Sequence, residues 1–598
     1  MTSPPPLIIW REGEPPRSAR FGDLYYSAEG GLDEARQVFL AGCGLPEAWR
    51  DRRAFSVGEL GFGTGLNIIA LLELWARHRP ADGRLTIFSV EAFPLEAADA
   101  ARALAAWPEL APIASRLLAR WPGRRRGFHR IDLPELNATL DLAMMEAADA
   151  LAAWCGRADA WFLDGFAPAL NPQMWRAEVL EGIARGSAPG ARLATYTVAG
   201  DVRRGLGAAG FSVNRAPGFG AKRQRLEARW PGEAAPDGIA PSVIILGAGV
   251  AGAALARAFR ALGVSPRVFD AVTPAASAGP AALVTPRLDA GLGPPAGLFA
   301  QAFARACQLY VAQADVVMAS GILQLAVGAK DEGRFAAIAR SDLFEPGEVS
   351  VVDSPESSRR LEEPAPQALA METGLVIEPA PLLSAWLGEV SRVAVSSLQY
   401  EGGFWRLLGE DGQAIAEAEI LCVACGMASA GLVPGLALRA VRGQASFAPG
   451  ACAPAAALFG GYVAPTPGGV MFGATHDRDD DNLEPRLEDH QRNLAALAEV
   501  LPELAARLGT GPFEAYVGVR ATTVDYLPIA GAAPAAGLFV LSGLGSRGFT
   551  LAPLLAEHIA AAALGAPSPL PGPLADLVDP ARFERRARRR GHPQPLAR

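Results

Sequence analysis

The stretch Phe55-Ser56-Val57-Gly58-Glu59-Leu60-Gly61-Phe62-Gly63-Thr64-Gly65-Leu66-Asn67 joins an apolar strand to a helix through a glycine-rich turn. A second stretch of similar construction follows much later, Ser242-Val243-Ile244-Ile245-Leu246-Gly247-Ala248-Gly249-Val250-Ala251-Gly252. Glycines let the backbone of such a turn approach a ligand closely at the carboxyl end of a parallel strand. The two turns are of different chemical types, so one polypeptide is predicted to carry two chemistries.

Short apolar runs alternate with helical stretches around each turn, a pattern typical of a parallel sheet covered by helices. We predict strands at residues 55–60, 85–91, 140–145, 160–164, 192–197, 242–246 and 267–269, and helices at 251–262 and 551–563. The mixed pattern from about 291 to 515 suits an inserted substrate domain. The predicted fold class is therefore α/β, with a Rossmann-like domain at 1–230, a linker at 231–241, and a dinucleotide-binding domain with a mixed-sheet insertion at 242–598.

The composition excludes several classes of protein. Of the 598 residues 50% are hydrophobic, yet none of the apolar runs reaches the roughly 18 residues of a membrane span. The N-terminus lacks the basic and apolar regions of a secretory signal, which predicts a cytoplasmic protein. Six irregularly spaced cysteines do not form a disulfide framework, and the Cys422/Cys425 pair lies in an apolar run that favours a buried strand over a metal site. No membrane and no metal are expected.

The charge pattern leaves nucleic-acid binding open. A net charge of −8 argues against a generally basic nucleic-acid coat. Three local clusters, Arg124–Arg126, Lys222–Arg225 and Arg582–Arg590, are each suited either to neutralising phosphates or to forming a solvated basic face.

Acidic residues mark the first candidate site. Glu59 ends a predicted strand and Glu91 stands at the tip of the next, where carboxylates can receive a ligand's ammonium and ribose hydroxyls. Asp164, within the run Trp161–Trp175, ends another strand ahead of a Gly/Pro loop, which places it over the ligand crevice. The alternative is that Asp164 caps the helix after Asn171.

The second candidate site has the fingerprint of a dinucleotide fold. Gly247, Gly249 and Gly252 follow a strand and open a helix, and Asp270 ends the next strand at a spacing suited to an adenosine ribose. This pattern alone does not separate NAD from FAD.

The first-half motifs resemble the family of bifunctional tRNA 5-methylaminomethyl-2-thiouridine biosynthesis proteins. The resemblance rests on Phe21–Ser27, Gly58–Asn67, Val90–Leu95, Phe162–Trp175 and Arg203–Arg223. It implies methyl transfer from S-adenosylmethionine to the primary amine of 5-aminomethyluridine at a tRNA wobble position, with Asp164 orienting the amine and accepting its proton. The donor-binding residues that it implies are Glu59, Gly61, Gly63, Gly65, Asn67 and Glu91, with Glu146 on the adenine side where relatives usually carry aspartate.

The C-terminal run Leu541–Thr550 resembles the closing flavin-binding segment of amino-acid oxidases of the glycine-oxidase type. This resemblance implies FAD, held in part by Gly543, Gly545, Ser546 and Gly548. It also implies that Arg520 clamps the carboxylate of a carboxymethylaminomethyl group, whose oxidation releases glyoxylate and leaves a primary amine.

Two other side chains near this second site, Arg547 and His476, each have two possible roles. Arg547 is a second candidate for the carboxylate or the flavin, or else forms a structural salt bridge. His476 is a candidate base, although a hydrogen-bonded loop histidine is commoner.

The two implied reactions are consecutive, because the oxidase product is the methyltransferase substrate. A free amine or amino-acid oxidase fused to a small-molecule methyltransferase is the alternative, and a non-catalytic RNA-binding protein is the third hypothesis. The expected partner is tRNA, and the chain is expected to act as a monomer.

Overall fold

The computed structural model describes residues 7–233, 240–271 and 275–589. The chain divides into two compact units. Unit 1 comprises Met1–Ile239 and Ala566–Gly572, and unit 2 comprises Ala240–Gly565 and Pro573–Arg598. The division at 239/240 falls within the predicted linker 231–241, of which residues 234–239 lie outside the described part of the chain.

Unit 1 is built on an eight-stranded sheet whose five central strands are parallel. In spatial order the strands are Gly127–Leu133, Ala138–Met144, Arg84–Val90, Ala54–Leu60, Ala158–Leu163, Ser187–Thr195, Gln224–Arg229 and Ser212–Pro217. Its α-helices are Gly31–Glu34, Leu66–His78, Ala97–Leu104, Ala111–Leu118, Ala147–Ala153, Ala177–Arg185 and Gly200–Ala208, and a π-helix spans Ala35–Leu40.

The central strand of unit 1 explains one glycine of the opening motif. Ala54–Leu60 is buried from its second residue onward. A Cβ on Gly58 would lie 2.2 Å from the Trp161 ring on the neighbouring strand. Gly58 therefore makes room for a buried tryptophan rather than for a ligand.

Unit 2 contains a six-stranded nucleotide-type sheet. In spatial order its strands are Val390–Arg392, Arg267–Asp270, Val243–Leu246, Ile420–Val423, Leu538–Ser542 and Ile529–Ala532, all parallel except the last. The helices of this unit are Val250–Ala261, Pro294–Val311, Asp331–Ala339, Ser354–Leu361, Pro379–Leu387, Ser429–Leu432, Leu487–Ala498, Pro502–Leu508, Gly548–Leu564, Gly572–Val578 and Arg582–Arg589.

Two further sheets complete unit 2. The larger has ten strands, Ala282–Val284, Val317–Leu325, Val349–Val352, Ala368–Ile377, Leu438–Pro449, Ala456–Leu458, Tyr462–Thr466, Gly469–Gly473, Asp477–Arg478 and Glu514–Thr523. The smaller has three, Ser397–Glu401, Phe404–Leu408 and Ala414–Ala418. The larger sheet corresponds to the predicted mixed-sheet insertion, but the predicted bounds of 291–515 are wrong as one continuous segment, because Val390–Arg392 and Ile420–Val423 lie within them and belong to the nucleotide-type sheet.

A buried ion cluster joins three helices of unit 2. The Glu557 carboxylate accepts hydrogen bonds from Arg305 (Nη2–Oε1, 2.6 Å) and Arg257 (Nη1–Oε1, 2.7 Å), and the Arg305 and Glu557 side chains are each 4% exposed. Loss of either arginine would leave the buried negative charge of Glu557 less well compensated, which lowers stability because the interior has a low dielectric constant. The cluster therefore fixes the helices that begin at Val250, Pro294 and Gly548.

The predicted strands are confirmed to within a few residues, apart from the 192–197 strand, which starts earlier, at Ser187. Cys422 lies in the buried strand Ile420–Val423 and Cys425 follows it. The described ranges contain no group of three metal-ligating side chains. None of the helices in those ranges is long and apolar enough to cross a membrane.

Candidate cofactor and substrate sites

Unit 1 has a cavity of about 550 Å³ at the carboxyl ends of its central strands. Its lining includes most of the predicted first-site residues, Gly61, Gly63, Asn67, Glu91, Glu146 and Asp164. Glu59 and Gly65 lie just behind this lining, in the strand end and at the start of the helix. The structure thus brings the predicted residues together around one cavity.

The glycine turn requires glycine at Gly61. Its φ is +93°, and a Cβ there would lie 1.8 Å from the Asp164 carbonyl oxygen. Gly65, at φ +76°, precedes the helix Leu66–His78. Gly61 therefore lets the glycine turn pack directly on the backbone of Asp164 and Gly165, which brings the two loops to the same cavity.

Glu59 is fully buried, and its two carboxyl oxygens differ. Oε2 accepts a hydrogen bond of 2.5 Å from the Ser89 hydroxyl, whereas Oε1 has no hydrogen-bond partner among the residues that the structure describes. Burial raises the Glu59 pKa to about 8, with the Ser89 hydrogen bond opposing that rise. An unsatisfied buried oxygen next to the glycine turn fits a cationic or hydroxyl group of a bound donor.

Glu91 and Glu146 lie on the far side of the turn. Glu91 accepts hydrogen bonds from the backbone of Gly63 (3.0 Å) and Phe93 (2.8 Å), so it organises both loops as well as lining the cavity. Burial raises its pKa. Glu146 is exposed at the start of the helix Ala147–Ala153.

Asp164 is held by Asn67, whose Nδ2 donates a 2.6 Å hydrogen bond to Oδ2. Burial raises the Asp164 pKa to about 7, and the nearby Glu34 carboxylate raises it further, while Asn67 and Lys222 oppose the rise. The 3₁₀ turn that follows Asn171 has no side-chain cap. The capping alternative for Asp164 is therefore wrong.

The acceptor side of this cavity contains residues that the sequence did not single out as a site. Lys222 Nζ lies 3.0 Å from Glu34 Oε1 and 4.0 Å from the centre of the Tyr196 ring. The Tyr196 hydroxyl donates a 2.7 Å hydrogen bond to the Gly165 carbonyl oxygen, next to Asp164. Glu34 and Tyr196 carried no sequence signal for a site, because they lie far apart in the chain and outside the motifs that marked the site.

The basic clusters are partly neutralised within the fold. Lys222 pairs with Glu34, and Arg225 pairs with Glu227. Arg582 is buried against Asp525 (Nε–Oδ2, 3.1 Å). These three basic side chains therefore have carboxylate partners within the protein; Arg590 lies outside the described residues.

Unit 2 has a cavity of about 1820 Å³, larger than the roughly 300–1,000 Å³ of an ordinary ligand pocket. Gly247, Gly249 and Asp270 line it, and so do Gly543, Gly545, Ser546, Arg547 and Gly548. Asp270 accepts a 3.0 Å hydrogen bond from the Ala248 backbone and pairs with Arg392. The size fits a dinucleotide together with a second ligand.

Gly252 does not line this cavity, but it allows the helix that follows to pack on the glycine loop. A Cβ on Gly252 would lie 1.8 Å from the Gly247 carbonyl oxygen. Gly247 itself has a φ of +103°, and a Cβ on it would lie 2.5 Å from the Ala424 carbonyl oxygen. The first helical turn must therefore pack directly on the glycine loop, which aims the helix N-terminus at the ligand.

We expect Gly252→Ala to abolish stoichiometric flavin binding, because the new methyl group would push the helix away from the loop. The measurement is the ratio of absorbance at 450 nm to that at 280 nm in the purified protein. Gly297→Ala, at a helical glycine whose Cβ would meet no atom within 4 Å, is the matched control and should stay yellow. A fully loaded Gly252→Ala protein would contradict this packing role.

Arg547 has no acidic partner in the described part of the chain. It is the last residue of the 3₁₀ turn Gly545–Arg547, and it lines the cavity. Burial lowers its pKa to about 10, and the neighbouring Arg287 lowers it further. The salt-bridge alternative is therefore wrong, and the cationic side chain faces a space suited to an anion.

Arg520 lies over the backbone of a neighbouring strand. A Cβ on Gly443 would lie 2.2 Å from its Nη1, so a glycine makes room for the guanidinium. Nη1 donates a 3.3 Å hydrogen bond to the Thr475 carbonyl oxygen, and no carboxylate among the described residues pairs with Arg520. Burial lowers its pKa. An unpaired, cavity-lining guanidinium is suited to a bidentate bond with a ligand carboxylate.

His476 lies beside Arg520 but is exposed. Burial of the ring lowers its pKa, and the positive charges of Arg520 and Arg478 lower it further. The ring is therefore neutral at pH 7.

Comparison with known proteins identifies both units. A family model described as S-adenosyl-L-methionine-dependent methyltransferase matches residues 108–231, and one described as FAD dependent oxidoreductase matches residues 242–562. The predicted cofactors and the predicted order of the two domain types are thereby confirmed.

Curated relatives match over nearly the whole chain, and each carries the name tRNA 5-methylaminomethyl-2-thiouridine biosynthesis bifunctional protein MnmC. The relative from Caulobacter sp. (strain K31) is 57% identical over 97% of this chain and 98% of its own length. Those from Caulobacter vibrioides and Maricaulis maris are 56% and 41% identical, each over 98% of both chains.

Proposed function

The chain belongs to the MnmC family of bifunctional tRNA 5-methylaminomethyl-2-thiouridine biosynthesis proteins, and from this premise we propose that it performs two consecutive steps on one tRNA wobble uridine. Unit 2 removes the carboxymethyl group from 5-carboxymethylaminomethyl-(2-thio)uridine. Unit 1 then methylates the resulting 5-aminomethyl group. The observation that carries the proposal is the pairing of sites: an unpaired guanidinium for a carboxylate in one cavity, and a carboxylate of near-neutral pKa for an amine in the other.

In unit 2, the chain's own residues bind and orient the substrate. Arg520 takes the glycine-like carboxylate through two charge-assisted hydrogen bonds, and Arg547 adds positive charge in the same cavity. FAD, held by the turns at Gly247–Gly252 and Gly543–Gly548, supplies hydride acceptance when bound. Burial of both arginines keeps the carboxylate interaction strong by excluding water.

In unit 1, Asp164 orients the acceptor amine and takes its proton at Oδ1 or Oδ2. An amine attacks only when it is neutral, so a base is required where the amine meets the donor. The turn at Gly61–Gly65, with Glu59 and Glu91, holds S-adenosylmethionine, which supplies the methyl group when bound. Asn67 fixes the Asp164 carboxylate by the 2.6 Å hydrogen bond.

Each cavity is lined by residues of a single unit, which supports a monomer as the working form. We also propose the cytoplasm as its location, since the substrate is a tRNA.

The test is nucleoside mass spectrometry of tRNA carrying carboxymethylaminomethyluridine after incubation with the protein, with and without S-adenosylmethionine. Conversion to aminomethyluridine without the donor, and to methylaminomethyluridine with it, is expected. Turnover of free glycine or sarcosine, with the tRNA left unchanged, would favour the fused amine oxidase instead.

The methyl-transfer rate is expected to depend on pH near neutrality. The Asp164 pKa of about 7 lies above its ordinary value of 3.8, so the carboxylate form is lost as pH falls through 7 rather than through 4. Single-turnover rates at saturating donor should therefore fall about fivefold from pH 7 to pH 6 and about tenfold for each further pH unit. A rate that stayed level down to pH 5 would contradict a base of raised pKa.

A further inference from the structure

The acceptor cavity of unit 1 already holds a primary alkylammonium, that of Lys222. Its Nζ lies 3.0 Å from Glu34 Oε1 and 4.0 Å from the centre of the Tyr196 ring. A carboxylate on one side and an aromatic face on the other are the two groups that recognise ammonium ions most directly. All three side chains line the same cavity as Asp164.

The lysine side chain and the acceptor share their reacting end. Lysine ends in –CH₂–NH₃⁺, and an aminomethyl group attached to a uridine ends in the same –CH₂–NH₃⁺ at neutral pH. A space that accepts one is chemically suited to the other.

The position of this ammonium fits the next step of the reaction. The Glu34 charge acts on the Asp164 carboxyl, and the Tyr196 hydroxyl is bonded to the Gly165 carbonyl oxygen directly after Asp164. An acceptor ammonium bound by Glu34 and Tyr196 would therefore lie beside the group that takes its proton.

Lys222 is placed so that it can leave. Its side chain is 48% exposed, whereas that of Glu34 is only 13% exposed. The loop that carries it is held through a 2.7 Å hydrogen bond from the Ala221 backbone to Glu29, which does not involve the lysine side chain. An ion pair with one half-exposed lysine contributes little to stability, so displacing that lysine is cheap.

We propose that Glu34 and the face of Tyr196 form the subsite for the primary ammonium of the acceptor, and that Lys222 occupies this subsite until the acceptor enters. This inference rests on the proposed function, since it assigns a recognition site to the methyl acceptor. Glu34 and Tyr196 then act as binding residues. Lys222 is a placeholder whose charge compensates that of Glu34 while no acceptor is bound.

The first test is the binding of two tRNAs to the full-length protein by filter binding, one with aminomethyluridine and one with unmodified uridine at the wobble position. Wild-type protein should prefer the first. Glu34→Gln should reduce that preference by about ten- to a hundredfold while leaving affinity for the unmodified tRNA unchanged, because only the charged hydrogen bond to the ammonium is lost. Glu178→Gln, an exposed glutamate outside the cavity, is the matched control.

The second test separates a placeholder from a catalytic lysine. Lys222→Met keeps the side-chain length without the charge, and the KM for aminomethyl tRNA in methylation should fall a few-fold, because no ammonium then has to leave the subsite. An unchanged or higher KM would contradict the placeholder role. A fall of more than tenfold in kcat would overturn the placeholder role.

The outcomes also separate this inference from the proposed function. If wild-type protein methylates the tRNA and Glu34→Gln keeps the full preference, the subsite is wrong and the function stands. If wild-type protein neither methylates nor distinguishes the two tRNAs, the proposed function fails, and the subsite fails with it.

Discussion

Replacing Asp164 with asparagine is expected to lower the rate of methyl transfer by about 10²- to 10⁴-fold, the range for loss of a general base. Asparagine keeps the size of the side chain, and its carbonyl oxygen can still accept the hydrogen bond from Asn67. It cannot take the proton from the acceptor amine. The measurement is single-turnover methylation of aminomethyl tRNA at saturating S-adenosylmethionine.

Two further measurements on the Asp164→Asn protein serve as controls. Binding of S-adenosylmethionine, measured by calorimetry, should change by no more than about threefold, because the glycine turn and Glu59 are untouched. Oxidation of carboxymethylaminomethyl tRNA in unit 2 should be unaffected, because the substitution lies in unit 1, and retained donor binding shows that unit 1 itself is folded. The remaining activity of Asp164→Asn should rise with pH as the amine itself loses its proton. A variant within fivefold of the wild-type rate would show that Asp164 only positions the amine.

The sequence predicted the central strands of the two nucleotide-type sheets well, because a buried strand is visible in the sequence as a run of apolar residues. The strands at Ala54–Leu60 and Val243–Leu246 are apolar runs that end in glycine turns, and both facts are local. The turns lie at the carboxyl ends of these strands, so the cofactor sites followed from the same residues. The edge strand Ser212–Pro217 and its neighbour Gln224–Arg229 were not predicted, since they are short and half-exposed and carry no continuous apolar run.

The acceptor site was harder to predict because it is assembled from distant segments. Glu34 and Lys222 are 188 residues apart and meet only after the sheet has formed. The sequence placed Lys222 in a basic cluster, whereas the fold pairs its half-exposed ammonium with Glu34 at the cavity. Local patterns report which residues are buried, and they do not report which side chains face one another across a cavity.

The alternatives for Arg547 were decided by a missing partner. A sequence shows that an arginine follows a glycine turn, and it does not show whether a carboxylate lies within reach. In the described residues none pairs with Arg547, and Arg287 is its charged neighbour. Two neighbouring guanidinium groups at a cavity, here those of Arg547 and Arg287, repel each other. Without a protein carboxylate between them, the arrangement is unfavourable unless a ligand supplies negative charge.

Replacing Arg520 with methionine is expected to lower kcat/KM for oxidation of carboxymethylaminomethyl tRNA by about 10²- to 10³-fold. This loss corresponds to about 2.7–4.1 kcal/mol, which lies within the range of about 2–5 kcal/mol for one partner of a buried, hydrogen-bonded charge pair. Methionine keeps the unbranched stem and leaves the substrate carboxylate without its clamp. Arg520→Lys should recover only part of the loss, because an ammonium is a point charge and cannot form two parallel hydrogen bonds. The measurement is the initial rate of glyoxylate release.

The cause of the loss can be isolated with a substrate that lacks the carboxylate. On tRNA carrying an N-ethylaminomethyl group, wild-type protein and Arg520→Met should be equally slow, since neither can use the clamp. The flavin absorbance and the methylation of aminomethyl tRNA should stay at wild-type levels. A narrower variant, Arg520→Ala, leaves a space over Gly443 that added guanidinium ion can enter, and partial recovery of the rate is expected. Equal losses on both substrates would instead mean that Arg520 acts on the flavin or the fold, and the carboxylate of the substrate would then have to be assigned to Arg547.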